Sequence, residues 1–158
     1  MGAASNYKPV GGVERVILYP ADAVQTALFS SDGCEVTLAD EALEVELMDD
    51  ASHYQERAEC ECGATKIAHT LHLVAERHKA VEWFGAEFLE RASIDGVVAV
   101  VKLEDGRSLL VGYSSRFGNE YPLRLASLLS ASGSGTGEQP TVTLQLVSYD
   151  TEFSCEII

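Results

Sequence analysis

The chain has 158 residues, 46% of them hydrophobic, and eleven Lys and Arg stand against twenty-five Asp and Glu for a formal net charge of −14. That length fits one domain with a core of its own, no run approaches the ~20 apolar residues of a membrane span, and so acidic a surface disfavours specific nucleic-acid binding, which needs Lys and Arg for phosphate contacts. Four cysteines in a chain this long do not suggest a disulfide scaffold, and a reducing compartment keeps them as thiols.

Residues 1–12 (MGAASNYKPVGG) are small, polar and Gly-rich and predict a flexible N-terminal arm. They lack the apolar core of a signal peptide, which points to the cytosol. Residues 13–19 (VERVILY) read as a strand ended by Pro20, which cannot donate to a ladder. Residues 21–31 read as a short helical turn or a loop, with Val24, Ala27 and Leu28 at helical spacing. Asp32-Gly33 marks a turn, and 34–38 alternates with Cys34, Val36 and Leu38 on one face. Residues 42–48 alternate with Leu43, Val45 and Leu47 inward and Glu44 and Glu46 outward, as in an antiparallel sheet with one wet face. After a turn at 49–52, residues 53–62 (HYQERAECEC) form a strand that pairs as a hairpin with 66–75 (KIAHTLHLVA) across the Gly63-Ala64 break.

The clearest change of period comes next. On 66–75, Ile67, His69, Leu71, Leu73 and Ala75 share one face of an extended segment. On 78–92 (HKAVEWFGAEFLERA), Val81, Phe84, Phe88, Leu89 and Ala92 recur at three- and four-residue steps and predict one helix, with Trp83 beside the stripe. Residues 97–103 (VVAVVKL) are apolar on both faces and predict a covered strand, returned by an Asp105-Gly106 turn to a strand over 108–114. A loop at 117–120 precedes a long strand over 122–132, with Leu123, Leu125, Ser127 and Leu129 on one side. The Gly-rich loop 133–140 leads to a strand over 141–149, with Val142, Leu144 and Leu146 inward, and to a tail with Phe153 and Ile157. There is no internal repeat and no linker. The expectation is an α+β chain: a mainly antiparallel β-sandwich or barrel with one packed α-helix, in a single β-rich domain over 13–158.

Chemistry is sparse in this pattern. Cys60 and Cys62 share a strand face, with His69, His72 and His78 downstream, a set that in kind suits zinc. The spacing does not, because both thiols lie along a strand and His69 and His72, three apart, point to opposite faces. No metal or cofactor is predicted. Neither a G-x-S-x-G elbow, a P-loop nor a G-x-G-x-x-G turn is present, and the glycines at 133–137 open no helix. An enzyme is not expected; a third reading keeps Cys34, Cys60 or His69 as a reactive group. From Glu35 to Glu61 ten carboxylates face the single base Arg57. They read either as a solvated face or as a surface that does not hold a passing polyanion.

The order of elements resembles the tail-tube family of tailed phages and contractile injection systems. The likeness is carried by the hairpin candidate over 53–75, the helix over 78–92, and the late run of strand (PLRLASLLSAS), Gly-rich loop (GSGTGEQP) and alternating strand (TVTLQLVSY). It implies a structural subunit, as in prophage virion proteins, that forms a homo-oligomer, a hexameric ring in that family. Such rings stack around an acidic lumen, beside other virion proteins, first in the bacterial cytoplasm and then in the particle. It implies no catalysis, cofactor or membrane. Exposed edges would join neighbouring sheets, with contacts expected at Tyr7 and Val10 in the arm, Tyr54 and Arg57 in the hairpin, and Gly133, Gly135 and Gly137 in the loop. Glu44, Glu46, Asp49, Asp50, Glu56, Glu59 and Glu61 are the acidic surface or lumen candidates. The alternative is a small β-barrel binding module with a pocket between sheet and helix, lined by Leu71, Leu73, Phe84 and Phe88.

Overall fold

A computed structural model describes residues 12–39, 42–47, 52–61, 63–132, 140–150 and 152–158. Eleven strands and two helices follow in chain order: β1 (Val13–Pro20), β2 (Val24–Ser30), β3 (Gly33–Leu38), β4 (Leu43–Val45), β5 (His53–Glu61), β6 (Ala64–Glu76), α1 (Arg77–Trp83), α2 (Ala86–Ile94), β7 (Val97–Leu103), β8 (Ser108–Val111), β9 (Arg124–Ala131), β10 (Thr141–Asp150) and β11 (Cys155–Glu156). Every strand pairing is antiparallel. One sheet, A, has the order β5-β6-β10-β9; a second, B, has the order β11-β8-β7-β1-β4; β2 and β3 form a separate hairpin. The arm residues Tyr7 and Val10, the carboxylates Asp49 and Asp50, Cys62, and the loop glycines 133, 135 and 137 lie outside the described residues.

Alternation builds the core. Leu71, Leu73, Leu144 and Leu146 of sheet A face Val16, Leu18, Ala99 and Val101 of sheet B, all of them nearly inaccessible to water. The two sheets are therefore the two leaves of a sandwich. Strand β7 is covered on both sides, as its apolar run requires: Val97, Ala99 and Val101 face the main core, while Val98 joins Leu110 and Cys34 in a second cluster under the β2–β3 hairpin. The Phe29 and Tyr113 rings stack in that layer, 6.2 Å apart. The C-terminus closes it, with β11 on β8 and the Ile158 amide donating to the Cys34 carbonyl at 2.9 Å.

Three local expectations are corrected. The segment expected as a helical turn or loop is strand β2. A register shift between Val24 and Thr26 puts Val24, Ala27 and Phe29 on the half-buried side, and that three-residue step imitates helical spacing. The one helix expected over 78–92 is two. Phe84 leaves the helical region (φ −100°, ψ 54°), Gly85 is extended and caps the second helix, and the face turns at the break. Ala80, Phe84 and Ala92 are buried, whereas Val81 is 53% exposed. In β9 the pairing slips opposite Gln145 and Leu146, leaving Ala126 as an extra residue. Leu125 and Leu128 pack on the core, and Leu129 stands 63% exposed on the other side.

A two-residue seam joins the sheets beyond their shared core. Val97 and Leu123 exchange both backbone hydrogen bonds, at 2.8 and 2.9 Å. Two glycines make that approach possible. Gly96 (φ +83°) lies against Pro122, and at Gly112 (φ +93°) a Cβ would come 2.9 Å from the Val97 carbonyl oxygen and 3.0 Å from the Leu123 nitrogen. Gly106 has a similar φ of +93° but open space around it. A left-handed backbone costs an alanine ~1–2 kcal/mol, and 1 kcal/mol moves Tm by ~2–4 °C at this size. Gly106→Ala is therefore expected to lower Tm by ~2–8 °C. Gly112→Ala, which adds the clash with the seam, is expected to lower it at least twice as far, as calorimetry of both variants would measure.

Candidate functional site

Two places in the fold concentrate polar chemistry: a buried knot around His69 and the outer face of sheet A. His69 is carried by the register of β6, which turns it to the core side with Ile67 and Leu71 and leaves it 4% exposed. Its Nε2–H donates to the Glu152 carbonyl at 2.9 Å. A carbonyl only accepts, so this bond sets the tautomer and leaves Nδ1 as an acceptor in the neutral ring. Nδ1 lies 2.8 Å from the Tyr54 hydroxyl and 2.9 Å from the Ser154 hydroxyl, which are bonded to each other as well. The Glu56 carboxylate accepts the Ser154 backbone N–H at 2.6 Å and stands 3.5 Å from Nδ1. Burial first, and then the negative charge of Glu56, push the Tyr54 hydroxyl well above the ordinary phenol value, so it stays protonated and donates.

This knot ties residues 152–154 to β5 and β6. A cleft of about 160 Å³ beside it is lined in part by His69, Ser148, Ser154 and Tyr113. As chemistry, the arrangement pairs a serine hydroxyl with a histidine nitrogen, but the single lone pair of Nδ1 is shared between two hydroxyls. Its evident work is to hold the chain end. Tyr54, expected at a subunit contact, and Glu56, expected on the acidic surface, are both drawn into the knot by these bonds. The signal available in the sequence was one histidine on an otherwise apolar strand face; its partners, about 85 to 100 residues away for Ser154, left none.

The outer face of sheet A is different in kind. His53, Gln55 and Arg57 on β5, His72 and Val74 on β6, and Tyr149 on β10 point away from the core by strict alternation. The His53 and His72 rings stack at 4.7 Å, and burial together with the neighbouring His53 lowers the pKa of His72, which keeps it neutral at pH 7. The Lys66 ammonium sits 4.0 Å from the centre of the Tyr149 ring. Carboxylates stand at the two ends of the face, Glu59 near the β5–β6 turn and Glu76 where β6 meets α1. Arg57 and Glu59 lie here, both exposed; Glu61 ends β5. Glu44 and Glu46 are elsewhere, by β4, paired with Arg15 at 2.9 Å and Lys79 at 2.8 Å.

The pocket expected between sheet and helix is not lined as foreseen. Leu71, Leu73 and Phe84 are buried in the core, because the helices lie flush on the sandwich. Phe88 instead borders a groove of about 900 Å³ between the end of β1, the start of β4 and α2, where Arg91 and Arg124 also stand. His69 and His72 do point to opposite faces. Among the described residues no group of three His, Cys, Asp or Glu side chains is placed to hold a metal ion, and no helix is long and apolar enough to cross a membrane. No protein-family model matches the chain, and comparisons with curated proteins and with solved structures return no match.

Removing the His69 ring strands three hydrogen-bonding partners in a buried place, at ~1–3 kcal/mol for each group left unsatisfied. His69→Leu is expected to cost ~3 kcal/mol in denaturant unfolding and to speed amide exchange over 152–156, whereas Ser154→Ala costs ~1 kcal/mol. The thiols separate as sharply. Cys60 is exposed and Cys34 buried, and burial, aided by the hydrogen bond and charge of Cys155, pushes the Cys34 thiol up to about 12. Because the folded pKa is raised, the stability it contributes is complete below about pH 9 and drains away as pH climbs towards about 12. At pH 8 a thiol reagent is expected to label Cys60 rapidly and Cys34 only on unfolding. Above pH 9 the loss of stability should be shallower in Cys34→Ala than in the parent.

Proposed function

We propose that this protein is a self-assembling structural subunit, of the kind its order of elements resembles in phage tail tubes. The observation that supports this reading best is sheet A itself. Its two edge strands, β5 with nine residues and β9 with eight, each pair on one side only among the described residues, apart from single bridges at their starts. A long open edge presents unpaired N–H and C=O groups and templates pairing with another chain. Neither edge carries a proline, the usual device against such pairing. Augmentation of one copy's sheet by the next is the mechanism that fits these edges. Closure of the copies into a ring is the form taken in the family it resembles, and Glu44 and Glu46 on the β4 side are then the acidic residues left for a lumen.

The groove between β1, β4 and α2 favours the second reading, a ligand-binding module. Molar mass in solution separates the two. Light scattering on a size-exclusion column, across a hundredfold range of concentration, is expected to give multiples of the single-chain mass that grow with concentration, with rings or tubes in negative-stain micrographs. A monomer at every concentration would refute the assembly reading and leave the groove as the place to look for function.

A further inference from the structure

The charges of this chain are sorted. Arg15, Lys79, Lys102 and Arg107 are each engaged with a neighbouring carboxylate of their own chain. Arg57 and Lys66, and Arg124 at the β9 border, stand on the outer face of sheet A and form no ion pair among the described residues. The same face carries Leu129, 63% exposed, and Tyr149, 46% exposed. In a chain of net charge −14, cations left free around an apolar patch on a flat sheet call for an acidic partner with an apolar centre. A polyanion such as nucleic acid is a poor match, since three cations do not offset the repulsion of the whole molecule.

The matching surface is on the chain itself. On α2, Glu87, Glu90 and Ile94 recur at steps of three and four and form one solvent-facing stripe, opposite the packed side that carries Phe88, Leu89 and Ala92. Ile94 is 65% exposed, and Glu87 and Glu90 form no ion pair among the described residues. Two carboxylates and an aliphatic side chain on the stripe thus complement the free cations and the exposed Leu129 and Tyr149 of the sheet. We propose that the outer face of sheet A on one copy docks the α2 stripe of a second copy, a head-to-tail contact. It rests on the self-assembly reading and gives it a second interface besides strand edges. Because the two surfaces differ, the contact propagates from copy to copy and yields a ring where the rotation closes and a filament where it does not.

Charge reversal tests this directly. One variant carries Arg57→Glu and Lys66→Glu, a second carries Glu87→Lys and Glu90→Lys; all four side chains are exposed, and circular dichroism melts verify that each variant folds. Each alone sets like charges across the contact and is expected to raise the dissociation constant of self-association at least ~10-fold at low salt. An equimolar mixture restores opposite charges at every contact and is expected to recover assembly, as read by light scattering. Parent protein that associates while both variants associate equally well would overturn this interface and leave the self-assembly reading standing. Variants that fail alone and are not rescued by mixing would overturn the pairing of sheet with α2. Parent protein that stays monomeric would overturn both.

Discussion

The structure hangs on one antiparallel ladder. Strands β6 and β10 pair over ten consecutive residues, from Glu76 opposite Thr141 to Ile67 opposite Asp150. Its inward side chains Leu71, Leu73, Leu144 and Leu146 are almost wholly out of water and form the centre of the sandwich. Burying a leucine is worth ~1.5–3 kcal/mol, and a slip of one residue would turn all four to the wrong face. That makes this register the most strongly specified feature of the molecule. The strands β5 and β9 have only this pair to lean on. The last turn of the ladder brings Ser148 opposite His69, and the chain leaving β10 at once meets the His69 ring through the Glu152 carbonyl.

From that centre the polar groups divide into those that serve the fold and those left to face outward. The His69 knot belongs to the first kind. Each buried polar atom in it has a partner, as burial demands, and the result is a clamp that brings the chain end back over β5 before β11 joins sheet B. The free cations of sheet A belong to the second kind. Ion pairs on a wet surface stabilise little, so Arg57 and Lys66 cost the fold nothing by standing alone, and they stay available for complementarity with another surface. The net negative charge works against unspecific association; a single face where it is locally reversed confines association to one geometry.

The seam shows the same economy at the backbone. Sheets A and B belong to one core but share few backbone bonds. The reciprocal pair between Val97 and Leu123 places β9 and α2 relative to sheet B. It exists because Gly96 and Gly112 offer no side chain where two backbones meet. The groove beside α2 and the open edge of β9 both follow from where that seam lies.

By itself the sequence determined the layered β architecture. Period-two alternation on 66–75 and 141–149 names the buried faces of β6 and β10, and the apolar run at 97–103 announces a strand covered on both sides, since a side chain that never alternates with polar residues has no wet face to occupy. It also determined that His69 and His72 part company. What only the tertiary structure decided lies wherever local rules and long-range contacts compete. The slip within β2 made a strand look helical, and the bend at Phe84 and Gly85 made two helices look like one. The extra residue in β9 turned Leu129 outward when alternation pointed it in. The His69 knot was out of reach for another reason: Tyr54, Glu56 and Ser154 come together only after β5, β6 and the chain end are placed by the packing of the whole sandwich, and no spacing along a chain encodes a contact made by folding it.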